Sequence, residues 1–472
     1  MKPTPIFHAS VLALMMLSAC SMAPDYVRPD FKFEDQFHSD LPLSQSDQEL
    51  KNITWWDQFN DPLLSTLIHE ACTQNFDMQI ARKKIEYVIA GRDEAVSYLF
   101  PTVDMNASII KEKRPQATVL TGSPAYTTAS NAGFQASWEL DLFGRAQSAL
   151  QAQEALLEQT HFTYLGVKLA LMASVAEQYM LYHNARAQIT ITENMIKKWE
   201  TYIALREKLV NAGLSNAQEC LTLRSFLLKE QSLRSNLKAL QKNAANAMAS
   251  LLGKSPGGLD DRLNQAPDHL PVISNQQILS QLPSDIIFNR PDIAAAEQDL
   301  RQQTALIGVA RSELLPKFSL TGSYAWQGPA TNQTFSTKNV GWSVGPFIHL
   351  PLFDFGRIQA QIKQQETLKD ISALTFQKHI LEALQDIEKC LNQLNSHLEQ
   401  SHFAHTDMMN HKNAFQIART QHQAGIKDYS HMLEDEIAYL SALRVEVDAK
   451  TKLNLSFIYA YKALGGGYGV SA

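Results

Sequence analysis

Between Pro62 and Pro101 the apolar residues recur at helical spacing, with Leu64, Leu67, Ile68 and Ala71 on one face, which predicts a single helix of about 37 residues from Leu63 to Leu99. Directly after Pro101 the period falls to two. Val103, Met105, Ala107 and Ile109 alternate with Asp104, Asn106 and Ser108. Beyond a loop containing Pro115, Gly122 and Pro124, Phe134, Ala136, Trp138, Leu140 and Leu142 alternate with Gln135, Ser137, Glu139 and Asp141. Both stretches read as strands. A proline-free run over 146–211 follows, then Ala212-Gly213, then a returning helical segment near 214–251. The same order then repeats. A helix is predicted between Pro291 and Pro316, and Phe318, Leu320, Gly322, Tyr324 and Trp326 alternate with Ser319, Thr321, Ser323 and Ala325. In a fourth strand Val340, Trp342, Val344, Ile348 and Leu350 alternate with Gly341, Ser343, Gly345 and His349, interrupted by Pro346. A run over 358–423, the turn Ala424-Gly425 and a return over 426–463 complete the second half.

The two halves sit 212 residues apart, with Leu142-Phe-Gly-Arg145 echoed by Asp354-Phe-Gly-Arg357. Each run of some 66 residues makes a rod of ~100 Å at about 1.5 Å per residue. Helices beyond about 25 residues point to coiled coil, membrane span or repeat. Neither run is apolar enough to cross a bilayer, so a protein spacer is the remaining reading. Gly166, alone in the first rod's interior, costs only about 1 kcal/mol.

Strands of about 9–11 residues with one apolar face fit bilayer-spanning strands. A soluble sheet needs a second layer, and the sequence supplies only long helices and short loops around these strands; lipid can act as that cover. Four strands cannot close alone, and no edge is left open in hydrocarbon. Two chains would give an eight-stranded barrel filled by side chains, whereas three give twelve strands with room for water. A homotrimer is the simplest closure, and a larger ring stays open. The expected fold is mainly α with a β membrane segment: four long helical struts and four antiparallel strands per protomer, closing into a β-barrel continued by an α-helical barrel. The expected division is a signal peptide over 1–19, an acylated tether and equatorial segment over 20–59, and repeats over 60–270 and 271–472.

Net charge is −6 and no basic stripe with interleaved aromatics occurs, which argues against a nucleic-acid partner. Of four cysteines, Cys72, Cys220 and Cys390 stand alone in predicted helices and read as inert buried thiols. Cys20 differs. Lys2, the apolar stretch Val11–Leu17 and then Leu17-Ser18-Ala19-Cys20 have the layout of a secretory signal, and resemble a bacterial lipoprotein acylation site. Several acyl chains on Cys20 would anchor the protein durably, since one chain alone binds only marginally. Gly253-Lys254-Ser255 lacks the upstream glycine of a phosphate loop, because Met248 stands there. No arrangement of catalytic residues stands out; neither an enzyme nor a cofactor or metal centre is expected. His402, His405, Met408, Met409 and His411 carry donors for a soft metal, but on an exposed rod they read as a solvated face.

The chain resembles the TolC-like outer-membrane factors, in the lipoprotein branch typified by OprM, CusC and NodT. The resemblance runs from Cys20 and Ala23-Pro24-Asp25-Tyr26 through Arg28-Pro29, Trp55-Trp56, Phe59, Asp61-Pro62-Leu63 and Trp138–Arg145. It continues in Arg290-Pro291-Asp292-Ile293, Ala296-Glu297, Leu300, Ile307-Gly308, Ala310 and Pro316, and ends in Tyr461–Gly467 with Tyr468. These strings are weak singly and specific in this order. The resemblance implies a passive, trimeric outer-membrane exit duct of a tripartite efflux pump, working with a periplasmic adaptor protein and an inner-membrane transporter. By the same analogy, Ser21 after Cys20 favours the outer membrane. It further implies that the turns at Gly213, Leu214 and Ser215 and at Gly425, Ile426 and Lys427 are adaptor-docking tips, and that the second hairpin forms a periplasmic gate. Arg419, Asp428, Tyr429 and Glu434 are the candidate gate residues; the branch tends to carry an acid where Lys427 stands. The expected cargo is a drug or other small molecule. A metal-ion or type I protein-secretion duct, and more remotely a trimeric surface stalk, are the other readings.

Overall fold

The computed structural model describes residues 22–31, 55–113, 115, 126–266, 270–271, 273, 287–288, 290–328 and 334–465. The signal peptide, Cys20 and Tyr468 lie outside the described residues. In chain order, a short 3-10 turn (Trp55–Phe59) precedes α1 (Pro62–Gln74), α2 (Phe76–Ser97), β1 (Thr102–Lys113), β2 (Tyr126–Leu140), α3 (Arg145–Asn211), α4 (Ala217–Leu251) and the one-turn α5 (Asp260–Asn264). The second half adds α6 (Pro291–Ser312), β3 (Lys317–Gly328), β4 (Val340–His349), α7 (Arg357–Gln423) and α8 (Tyr429–Ala463). Both rods have 67 residues and both return helices 35, so the internal repetition extends to element length.

The chain forms two compact units, each taking pieces of both sequence repeats. One falls within residues 1–30, 84–161 and 295–377; the other within 31–83, 162–294 and 378–472. The first holds a four-stranded antiparallel sheet in the order β1-β2-β3-β4. Its register sorts side chains by face, since directly opposed residues share one. Met105 opposes Phe134, Phe134 opposes Tyr324, and Tyr324 opposes Trp342, a continuous apolar rung across all four strands. One step along, Asp104, Gln135, Ser323 and Ser343 form a polar rung on the other face. The apolar face is uncovered in the single chain: Val103 and Trp342 are 68% and 73% exposed. Pro346 does not break β4, which runs on to His349; β4 is the last strand in the order and tolerates a residue without an N–H.

The second unit holds the main core, where Leu64, Leu67 and Ile68 of α1 and Met78 of α2 pack with Tyr179 and Met180 of α3, Met248 of α4 and Phe457 of α8. The aromatic run before α1 locks onto it. The Trp55 ring stacks on Tyr461, the Gln58 amide donates to the Tyr461 hydroxyl at 2.8 Å, and buried Asp61 caps α1 through the Leu63 and Leu64 amides. Asp61 also accepts from the Tyr179 hydroxyl at 2.7 Å, and burial followed by this carboxylate pushes the Tyr179 phenol far up. Lys254, the would-be phosphate-loop lysine, is held instead by Glu70, which also pairs with Arg262 at 2.6 Å.

One expectation fails. The predicted helix over 63–99 is two helices, broken at Asn75, whose backbone is extended (φ −61°, ψ 135°). Asn75 still donates its N–H to Ala71 while its side chain accepts from the Met78 amide and donates to Leu251 O at 2.9 Å. It ends one helix and caps the next, a role asparagine fills well. The break also admits the turn after α4: a Cβ on Gly253 (φ +67°) would lie 2.9 Å from Gln74 O.

Within the sheet, a Cβ on Gly133 would sit 2.5 Å from Ala325 Cβ, whereas at Gly341 nothing lies within 4 Å. Gly133→Val is therefore expected to reduce folded protein in the membrane at least several-fold, with Gly341→Val near wild type, measured by heat-modifiable mobility on SDS gels.

Candidate functional site

Three structural features concern the residues singled out by sequence. The first is the anchorage of the N-terminal segment. Glu297, buried on α6, accepts from the Tyr26 hydroxyl at 3.1 Å, from Arg28 at 2.5 and 3.1 Å, and from Arg301 at 3.0 Å. The Arg301 guanidinium also lies 4.6 Å over the Tyr26 ring. Three residues before Tyr26, Ala23 packs so closely on Gly308 that a Cβ there would lie 2.7 Å from it. The sequence strings around Tyr26-Arg28 and Glu297-Gly308, about 270 residues apart, are thus one contact. Burial pushes the Glu297 carboxyl up, but the Arg28 and Arg301 hydrogen bonds outweigh it and the net shift is down.

The second feature is the pair of turns. Each long helix ends in the same motif: Leu214 N–H donates to Leu209 O and Gly213 N–H to Val210 O, while Ile426 donates to Gln421 and Gly425 to His422. Gly213 and Gly425 have φ of +74° and +70°, the left-handed conformation the motif demands. Nothing lies within 4 Å of a Cβ at either, so the backbone angle alone requires glycine. In such motifs the residue after glycine usually packs back on the helix. Here Leu214 and Ile426 stand 76% and 74% exposed. Asn216 caps α4 by accepting from Gln218 N–H, and the Ser215 hydroxyl donates to Glu219. Asp428 caps α8, accepting from His431 N–H at 3.0 Å and meeting the His431 ring at 2.5 Å. The His431 contact holds the Asp428 carboxyl below its usual range and raises the imidazole above its own.

The third feature joins the two hairpins. Tyr202 of α3 donates to Glu434 of α8, Arg206 donates to the Tyr202 hydroxyl at 3.1 Å, and Arg206 also faces Glu219 of α4 at 3.5 Å. Lys198 pairs with Glu436 at 2.7 Å, and Arg444 of α8 with Glu230 of α4 at 2.8 Å. Beneath these polar ties Ile191, Met195 and Tyr202 pack with Leu433, Ile437 and Leu440. Burial, then Glu434, raises the Tyr202 phenol.

The four candidate gate residues do not form one cluster. Glu434 is in the polar tie, Asp428 and Tyr429 begin α8, with the Tyr429 ring 5.3 Å from His422, and Arg419 is exposed without an ion pair among the described residues. Sequence reasoning missed Tyr202, Arg206, Lys198 and Glu436. The i, i+4 pair Tyr202-Arg206 was the available signal, on a helix that the family resemblance did not mark. In the His/Met stretch, His405 pairs with buried Glu446, which also holds Lys450. Among the described residues no three histidine, cysteine, aspartate or glutamate side chains are grouped to hold a metal ion.

The family model described as outer membrane efflux protein matches residues 67–254 and 282–466. The solvent efflux pump outer membrane protein SrpC of Pseudomonas putida is 28% identical, over 100% of this chain and 99% of its own. The cation efflux system protein CusC of Escherichia coli O6:H1 is 28% identical, over 96% and 97%. Among solved structures, the outer-membrane channel OprN has a TM-score of 0.81 at 27% identity over 94% of this chain and 99% of that one. The CmeC outer membrane channel of Campylobacter jejuni has 0.85 at 22% identity over 95% of each, a likeness of fold.

Two outcomes are expected at these sites. In an NMR titration His431 should titrate above an ordinary histidine and return to the ordinary value in Asp428→Asn, which keeps the cap. The raised imidazole stabilises below its unfolded pKa and loses that contribution as pH rises through the folded one, while the depressed Asp428 contributes above its unfolded pKa and loses it as pH falls through the folded one. The pair therefore adds most at mildly acid pH. Glu297→Ala should cost about 1–3 kcal/mol by removing the acceptor shared by Tyr26, Arg28 and Arg301, whose half-exposed guanidinium groups stay hydrated, read by thermal unfolding in detergent.

Proposed function

The chain belongs to the outer membrane efflux protein family, and from that membership we propose that it is the passive exit duct of a tripartite pump, closing as a homotrimer and carrying small organic molecules. The outer-membrane location and the efflux channel role are the family's. The observation that carries the reading is the sheet: an uncovered apolar face, a polar opposite face, and β1 and β4 unpaired at its two edges among the described residues. Lipid covers the first, water fills the space beside the second, and β4 of one protomer pairs with β1 of the next.

Sequence repeats over 60–270 and 271–472, after a signal peptide over 1–19 and a tether over 20–59, supply like struts to the wall. Cys20 carries the acyl anchor, and the Glu297 clamp supports that reading by fixing the chain from Ala23 onward. The turns at Gly213, Leu214, Ser215, Gly425, Ile426 and Lys427 dock the periplasmic adaptor, which in turn joins the inner-membrane transporter. Exposed Leu214 and Ile426 supply apolar contact area for that docking. The gate includes Glu434 latched to Tyr202, whose hydroxyl also accepts from Arg206; Asp428 and Tyr429 shape the turn beside it, and Arg419 supplies a cation that has no ion pair among the described residues. Relatives at the same 28% identity are named for solvent efflux and for cation efflux. The small-molecule reading follows the solvent, toluene and antibiotic pump relatives.

Purified protein in planar bilayers should conduct in three-subunit units, and Tyr202→Phe with Glu434→Gln should raise the open fraction several-fold. A deletion strain should become sensitive to organic solvents and antibiotics. Absence of conductance would overturn the duct, and sensitivity confined to metal salts would overturn the cargo.

A further inference from the structure

The two halves differ where a strand pair passes into a rod. After β2, Phe143 is half-buried, lies 6.4 Å from Phe318 and has an ordinary backbone. After β4, Leu352, Phe353 and Phe355 are 88%, 78% and 91% exposed, and Phe355 has φ +56°. A phenylalanine at that angle is strained, and such strain persists where the surroundings over-determine it. Here the determinant is Asp354, whose carboxylate accepts from Gly356 N–H at 3.0 Å and Ile358 N–H at 2.9 Å. The turn thus holds two phenyl rings, 4.5 Å apart, outward.

What covers them follows from strand direction. In an antiparallel sheet ordered β1-β2-β3-β4, the end of β4 and the start of β1 lie at the same end of the sheet, on opposite edges. When β4 of one protomer pairs with β1 of the next, the segment leaving β4 runs beside the segment entering the neighbour's β1. That segment is also aromatic and uncovered: Tyr98 and Phe100 are 57% and 62% exposed. It is held in place, because the Trp138 indole donates to Leu99 O at 3.0 Å and the Tyr98 hydroxyl to Glu94. Lipid is the less fitting cover. At this end the Lys317–His349 rung, the Lys317–Glu313 pair at 2.8 Å and the Arg145–Glu139 pair at 2.8 Å mark the end of the apolar band, and Phe355 comes six residues after His349.

From this juxtaposition we infer that Phe353 and Phe355 of one protomer clasp Tyr98 and Phe100 of the next, a subunit contact that seals the ring where sheet passes into helices. The inference rests on the trimeric closure proposed above. The test places the photo-reactive analogue p-benzoylphenylalanine at position 355 of the full-length protein in outer-membrane vesicles, where 91% exposure leaves folding undisturbed. After irradiation, the expected adduct joins two subunits through the tryptic peptide spanning residues 93–111. Adducts on lipid, on the same subunit or elsewhere on a neighbour, or no adduct, overturn the clasp. Native mass spectrometry of the same sample separates the two readings: a subunit count other than three sinks the closure itself, whereas a trimer without the 93–111 adduct sinks only the clasp. In a double-mutant cycle, Phe355→Ala and Phe100→Ala should each lower the temperature at which the oligomer dissociates in SDS by several degrees. Their combination should lower it by less than the sum, because both remove one contact; full additivity would overturn the clasp.

Discussion

A backbone N–H or C=O left without a partner in hydrocarbon costs several kcal/mol, and four strands leave two such rows. That constraint organises the molecule. It forbids the single chain from being the functional unit and turns β1 and β4 into mutual partners. It also makes the alternation of side chains between the two faces a requirement of the bilayer rather than of a protein core. Among the described strands the one proline stands on β4, an edge strand of the single chain, where one side of the backbone has no partner among the described residues.

The two halves have equal lengths without equal chemistry. The rods and return helices match residue for residue in length, and both hairpins turn on the same glycine geometry. The side chains around those frames then diverge. Asn216 caps one return helix and Asp428, with its histidine, the other. Phe143 is tucked in and Phe355 is held out. The length is fixed because two struts must share one wall, while the surfaces are free to meet different neighbours.

Much of the architecture was legible in the chain because it depends on period and punctuation. Strand alternation sorted the side chains of all four strands by face, and the Gly-Arg steps at Gly144-Arg145 and Gly356-Arg357, with the turns Ala212-Gly213 and Ala424-Gly425, bounded both proline-free rods to within a residue. The break at Asn75 was not legible, since no proline or glycine marks it and its cause is a distant carbonyl, Leu251 O. The ties between hairpins were equally hidden: Tyr202 and Glu434 are 232 residues apart, and only packing brings them together. Family resemblance directed attention to the second hairpin and so named Glu434 but not the residues of the first that meet it. The motif strings near both ends of the chain were legible as signatures, but their physical reason, a buried carboxylate gripping Tyr26 and Arg28, required three-dimensional contact.

That grip sets a short leash. Ala23 is pressed against Gly308, and three residues of fully extended chain reach no farther than ~11 Å. On the acylation of Cys20 proposed above, its lipid would enter the bilayer within about that reach of Ala23, which makes α6 a depth gauge: such an anchor would do more than tether the protein, because it would dictate how deeply the unit that holds the sheet is immersed.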